Sequence, residues 1–415
     1  MDTCLHSGAQ ALTGGQWQEL YGADRADLSL GYARLREHMK PGDPLLLTAA
    51  DDSGVCLALH GALTTPASGL FSHPWKLLTS EQLRRPEEGD AERVGEDHAD
   101  ALRAVTGGTD GSVPDAAALT AVLGEAMVFR SFDSSEAGLR ADLDGQERQH
   151  ALRALLKHAQ QAVRDGAAGA ICVPFVRADD ETLRTALARC GFRGAVLTAV
   201  TAFDLRGVSS YEEYLAGLPS RRRRLHRKEE QALTDSGLRL DSWSLAGHVN
   251  RIAALEARNI AKHGGQPNPQ ALVAARTTMA ALLGDRIRVP VALDETGEPA
   301  ACGIHMTDGQ NYCILMYGAD ASVSEGVPVY PCLTFYEPLR HAARHGLRTV
   351  RLGFEAYSAK LRRGARLRYR PTFRAAPGDG VPRRPYVNTP GTSHRSAALT
   401  EKEVEPDHGG APRPM

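Results

Sequence analysis

The sequence predicts an α/β (α+β) chain of two tandem domains, residues 15–205 and 206–375, followed by a disordered tail at 376–415. Three observations carry this expectation. Helical and strand-like patterns alternate along both halves, as in layered α/β architectures. Each half holds two short apolar runs joined by a tight turn, Asp51-Asp-Ser-Gly54 in the first and Asp294-Glu-Thr-Gly297 in the second. Beyond residue 375, apolar side chains thin out in favour of Pro, Gly, Ser and Thr. A chain of 415 residues with 42% apolar content can bury a core in each of two domains.

In chain order, residues 1–14 read as loose, and 17–39 carry a helical stripe (Leu20, Leu28, Leu30, Ala33, Leu35) stopped by Pro41-Gly42. Strands are expected at 45–48 and 55–60 about the Asp-Ser-Gly turn. The acidic, Gly- and Pro-punctuated stretch 79–120 reads as a loop with a weak helix. Residues 122–129 form a strand and 152–164 a helix with its stripe at Leu152, Leu155, Leu156, Ala159 and Val163. A buried strand at 170–175, a short helix at 179–190 and a strand at 195–205 complete the first domain. The second half repeats this loosely, with helices at 211–218 and 221–235, a strand at 238–244, helices at 248–262 and 268–283, and a strand pair at 287–293 and 299–306.

Composition narrows the function classes. A net charge of −1 hides a segregation: residues 81–100 are acid-rich, whereas 220–230 and 360–374 are arginine-rich, so an anionic partner would be met locally. No apolar run approaches the ~18 residues of a membrane span, and the first twenty residues lack a signal pattern, so a cytoplasmic protein is expected. Seven scattered cysteines without a C-x-x-C pair read as reduced core thiols rather than disulfides or a metal site. Nucleophile-elbow, zincin, P-loop and Rossmann signatures are absent.

The stretch 312–370 organises the second half. Cys313-Ile-Leu-Met-Tyr317 is a short apolar strand ending at Gly318. After a loop, Tyr330-Pro331 opens a helix with apolar positions at Leu333, Tyr336, Leu339, Ala342 and Ala343, closed by His345-Gly346. Thr349-Val-Arg-Leu352 is a second strand, Gly353-Phe-Glu-Ala-Tyr357 follows, and 360–370 reads as a basic loop.

Five pieces, Tyr211-Glu-Glu-Tyr-Leu-Ala-Gly-Leu218 with Arg221-Arg-Arg-Arg224, Ala301-Cys-Gly-Ile304, residues 312–318, 330–339 and 353–364, recur here in a characteristic order and spacing. In these the chain resembles the GNAT-fold acyltransferases of the BioF-like, peptidoglycan-biosynthesis type, akin to Fem-type aminoacyl transferases. The resemblance spans about residues 45–373. It implies two tandem GNAT-like domains, each a mixed sheet flanked by helices, and an enzyme that forms an amide without a covalent intermediate. Acyl-CoA-using members carry an Arg/Gln-x-x-Gly-x-Gly/Ala turn that cradles pyrophosphate; the 318–331 junction lacks it. This favours aminoacyl-tRNA as donor over acyl-CoA, with no cofactor and no metal, and a small metabolite or peptidoglycan-type precursor as the amine acceptor. A DNA partner is not expected. A non-catalytic RNA- or precursor-binding protein is the alternative from another class.

The candidate residues follow. Lys360 in Lys360-Leu-Arg-Arg-Gly364 lies, by the resemblance, at the active cleft, where it would stabilise an oxyanion; Arg363 shares that place. Glu355, two residues after Gly353, either caps its loop or takes the proton of the attacking amine. Tyr330 at the helix mouth is the tyrosine expected to face substrate, with Tyr317 and Tyr336 as packing or substrate-binding residues. His263, at a helix end, is a C-cap cation or a minor substrate contact. Arg222 and Arg223 in one basic run, with Arg366 and Arg368 in the other, are the candidate RNA contacts, read against a solvated helix face.

Overall fold

The computed structural model describes residues 1–39, 42–65, 124–354 and 356–375. The first-half strands are β1 Asp2–His6, β2 Asp43–Asp51, β3 Gly54–Thr64, β4 Ala126–Phe129, β5 Gly138–Leu139, β6 Ala170–Val173 and β7 Arg193–Asp204. The second-half strands are β8 Arg239–Trp243, β9 Ile287–Leu293, β10 Pro299–Asp308, β11 Asn311–Ala319, β12 Thr349–Gly353 and β13 Arg366–Ala375. All belong to one mixed sheet in the order β1-β2-β3-β4-β6-β13-β7-β12-β11-β10-β9-β8, with β5 paired to β3.

That order is a palindrome of pairings. Inward from β1, three antiparallel contacts precede the parallel pair β4/β6, and inward from β8 three antiparallel contacts precede the parallel pair β11/β12. Two GNAT-like halves therefore lie back to back, with the hairpins β2–β3 and β9–β10 in corresponding places. The centre is an exchange. β7 ends the first half in sequence yet pairs with β12, while β13 ends the second half and pairs with β6. The two exchanged strands also pair with each other over 193–202 and 366–374. The twelve residues of β7 make this possible: β13 pairs along one edge over 193–202, and β12 pairs along the other over 201–204.

Helices cover both faces. α1 Gly14–Tyr21 and α2 Leu30–Met39 lie over the first half, and α3 Gly145–Arg164 and α4 Glu181–Arg189 over its other face. α3 opens with a capping box in which Asp144 and Glu147 each accept from the other's backbone N–H, and it buries Leu152, Leu155, Leu156, Ala159 and Val163. In the second half, α5 Tyr211–Ala216 and α6 Ser220–Asp235 share one core with a helix beginning at Val329, and α7 Leu245–Lys262 and α8 Pro269–Leu283 build another. α2 serves both halves: Ala33 packs in the first, Tyr32 and Leu35 in the second.

Three local expectations give way. Residues 1–14 hold the edge strand β1, paired along its length with β2, and a helical turn at Ala9–Ala11. The stripe over 17–39 is two helices, because Gly22 takes a left-handed φ of 77° and Arg25 and Asp27 turn inward to ion pairs. The supposed basic loop is the short helix α10 Tyr357–Arg362 followed by β13. Arg366-Leu-Arg-Tyr-Arg370 alternates, so Arg366 and Arg368 reach solvent while the strand pairs with β7. The stretch 79–120 and the tail at 376–415 lie outside the described residues. All seven cysteines are free; Cys56, Cys172, Cys302, Cys313 and Cys332 are buried, whereas Cys4 is exposed.

Candidate active cleft

A parallel strand pair that separates makes a wedge in a sheet. β11 and β12 are paired only through Asn311–Thr349, Tyr312–Val350 and Cys313–Arg351, and beyond them the strands part. The departing end of β11 carries Tyr317 and Gly318. A Cβ at Gly318 would lie 2.7 Å from the Glu256 backbone nitrogen, so only glycine lets α7 approach this strand.

The helix after β11, α9, runs as a first turn Val329–Pro331, a π-helical turn Cys332–Tyr336 and a regular segment Glu337–Arg344. Pro338 has no N–H to offer the Thr334 carbonyl four residues earlier, which removes one α-helical bond where the π turn ends. Tyr330 and Tyr317 meet edge to face at 5.0 Å, and Tyr330 meets Phe335 at 5.4 Å. Both tyrosines are half-buried, and burial raises both phenol pKa values. Tyr336 is fully buried and donates its hydroxyl to Glu229.

Arg363 forms a fork on Glu229 through Nε and Nη2 at 2.9 and 2.5 Å and lies 5.4 Å from the Phe335 ring. His226 of α6 is fully buried, and its Nε2–H donates to the Arg363 carbonyl at 2.9 Å while Nδ1 faces the Tyr211 hydroxyl at 3.2 Å. Burial pushes its pKa down to about 4, so the imidazole is neutral at physiological pH. α6 is thus bolted through Glu229 and His226 to residue 363.

Lys360 is only 4% exposed. Its Nζ donates to the carbonyls of Leu352 at 2.7 Å, Phe354 at 2.6 Å and Gly353 at 3.4 Å, the end of β12. The lysine expected on a basic loop is therefore inside, gathering the backbone where Gly353 (φ 67°) and Ala356 (φ 48°) turn the chain. Glu355 lies outside the described residues. His263 is exposed at the C-cap of α7, with no contact to the other candidates among the described residues.

The basic runs converge. Arg222 is exposed on α6, Arg223 bonds the carbonyls of Ala216 and Leu218, and Arg366 and Arg368 are exposed on β13. Burial raises the Tyr214 pKa, and the charges of Arg222 and Arg366 both oppose that rise, so the two arginines lie about one phenol. That hydroxyl is buried without a hydrogen-bond partner, beside Gly364, where a Cβ would come within 2.9 Å of it.

Sequence reasoning missed the cluster that fixes the mouth of the wedge. Arg351, at the last paired position of β12, binds Asp27 at 3.1 Å, Asp308 at 2.8 Å and also Asp133, while Arg25 binds Asp27, Asp308 and Glu136. Burial, with Asp27 alongside, raises the Asp308 pKa to about 7; burial also opposes ionisation of Asp27, but Arg351 and Arg25 hold it low. A single arginine inside Thr349-Val-Arg-Leu352 was the available signal, since a cation in an apolar strand implies buried acids.

Residues 219–361 match the acetyltransferase (GNAT) domain family. The fold is similar to that of FemX, at a TM-score of 0.55 and 11% identity over 91% of this chain and 97% of that one. It is similar too to the C-terminal domain of an Agrobacterium fabrum protein described as a lysylphosphatidylglycerol synthetase, at a TM-score of 0.50 and 11% identity over 86% and 89% of the two chains. Among curated proteins nothing matches. No helix of the described residues is long and apolar enough to cross a membrane, and they contain no group of three or more side chains able to hold a metal ion.

Proposed function

We propose that this protein forms an amide by moving an aminoacyl group from aminoacyl-tRNA to the amine of a small metabolite or peptidoglycan-type precursor. The observation that carries the reading is the meeting of the two basic runs near Tyr214, which lies against Gly364 and feels the charges of both Arg222 and Arg366. A phosphodiester would supply the exposed Arg222 and Arg366 with an anion. This surface adjoins Arg363 through Gly364, and α6 is tied to Arg363 through His226 and Glu229. Likeness in fold to FemX and to the lysylphosphatidylglycerol synthetase domain supports aminoacyl transfer. The missing pyrophosphate turn at 318–331 argues against acyl-CoA.

In the reaction the acceptor nitrogen attacks the ester carbonyl carbon. A C–N bond forms, the C–O bond to the tRNA ribose breaks, and the ribose hydroxyl keeps the proton that the amine gives up. The donor is already activated, so the protein's task is to position the reactants and stabilise the oxyanion. Tyr330 and Tyr317 are assigned to the substrate walls and Glu355 to proton removal. Lys360 is assigned a positioning role, setting the backbone of 352–354 from beneath. Tyr336 and Arg363 hold α6 and α9 together through Glu229 and shape the wedge indirectly. The test is incubation of the purified protein with charged tRNA pools or with acyl-CoA, plus candidate amines, read by mass spectrometry. Amide formation with acyl-CoA alone would overturn the donor.

A further inference from the structure

The structure contains a second polar site that the acyl-transfer reading does not use. Between α1, α2 and the chain following β4 lies a small, open pocket that encloses about 20 Å³, with Trp17, Tyr21 and Tyr32 among its walls. Two arginines, Arg36 from α2 and Arg130 at the end of β4, also line it. Their charges lie close enough for Arg36 to depress the pKa of Arg130, on top of the larger effect of burial, to about 9.

Neither arginine forms a salt bridge among the described residues; Glu37, whose charge acts on Arg36, is itself held by the Ala9 N–H and His60. Arg130 is only 9% exposed; its Nη1 donates to the Phe132 carbonyl at 3.2 Å, and its Nε is buried without a partner. Nη1 of Arg36 is likewise buried and unpartnered. The carboxylates that share the pocket are engaged elsewhere: Asp27 is held by Arg25 and Arg351, and Glu136 by Arg25 and the Ser134 hydroxyl. A buried guanidinium without a salt bridge is costly, and two lining one pocket are costlier still, so the pair suits an anion. Two other buried arginines have acidic partners. Arg276 is forked onto Glu256, and Arg351 is bound by three aspartates.

We infer that Arg36 and Arg130 form the floor of a binding site for a small organic carboxylate. A guanidinium pair offers the parallel N–H donors that a carboxylate accepts, and the small enclosed space admits the carboxylate head while the rest of a small acid stays at the open mouth. Asp27 and Glu136 in the same pocket favour a monoanion over a phosphate dianion, which they would repel. The ligand belongs to neither basic run on α6 and β13, and the site stands independently of the acyl donor.

The test is a thermal-shift titration of the full chain with sodium acetate, propionate and benzoate, against sodium chloride at equal ionic strength and against inorganic phosphate. A carboxylate at a hundred times its Kd is expected to raise the midpoint by about 3 °C, from the linkage of ligand to the folded state and the unfolding entropy of a chain this size. Chloride and phosphate are expected to leave it in place. Arg130→Met and Arg36→Met should each abolish the carboxylate shift, and R130M should start from a midpoint no lower than the wild type, because an unpaired buried charge has been removed. Absence of any carboxylate-specific shift in the wild type, or its persistence in R130M and R36M, would overturn the inference; a phosphate shift instead would overturn the carboxylate assignment. Should R130M fail to fold, R36M and saturation-transfer NMR of acetate on the wild type decide the question.

Discussion

Replacing Lys360 by methionine separates two roles that one lysine could play. In the structure its ammonium is buried and donates to the Leu352 and Phe354 carbonyls at 2.7 and 2.6 Å, with a longer contact to Gly353. Methionine keeps the length and removes the donors. Two charge-assisted hydrogen bonds are worth about 1.5–3 kcal/mol each, and relief from burying an ammonium offsets part of that, so a net loss of about 2–4 kcal/mol is expected. With unfolding entropy near 2 cal/mol/K per residue, the midpoint should fall by about 2–4 °C. Hydrogen exchange should quicken at the amides of Phe354 and Tyr357, because the freed carbonyls turn toward water. Turnover falls with this loosening. A variant with the wild-type midpoint and exchange pattern but a more than ten-fold lower rate would refute the positioning role. It would restore the oxyanion role that the sequence position suggests.

Other perturbations address the remaining parts. Arg222→Ala with Arg223→Ala should weaken tRNA binding and flatten its salt dependence, which filter binding at several salt concentrations measures; a steep, unchanged slope would remove α6 from the interface. Glu355→Gln should slow amide formation, with a loss that shrinks as pH rises and the acceptor amine deprotonates by itself, so a rate–pH profile parallel to the wild type would exclude it as the base. Arg351→Met should cost about 3–5 kcal/mol in urea unfolding, because Asp27, Asp133 and Asp308 lose their shared cation. Stability should also fall on acidification from pH 6.5 to 4. Burial holds His226 and His341 at about 4 and His305 well below its ordinary value, so the unfolded chain takes up protons that the folded chain refuses. Asp308, raised to about 7, opposes one of these three, which leaves a slope of about 2–3 kcal/mol per pH unit. His226→Gln should lower that slope, and a flat stability curve would contradict the burial argument.

The sequence by itself determined the alternation of helix and strand, both hairpins and the helix carrying Tyr330 and Tyr336. Those features follow from local periodicity and turn chemistry: β2–β3 turns at Asp51-Asp-Ser-Gly54, where Gly54 has a φ of 111°, and α3 buries the stripe its spacing announces. The resemblance carried by the five sequence pieces supplied the GNAT-like character of the halves. Only the tertiary structure decided the exchange of β7 and β13, because strand order is set by pairing partners far apart in the chain. It also decided the fate of the charges. Lys360 and Arg362 are two residues apart in one basic run, yet the first is buried against backbone carbonyls and the second is exposed, a difference of helix face. Arg130 and Arg351 look alike in sequence as cations beside apolar strand residues; whether each meets an acid depends on which distant segment folds against it.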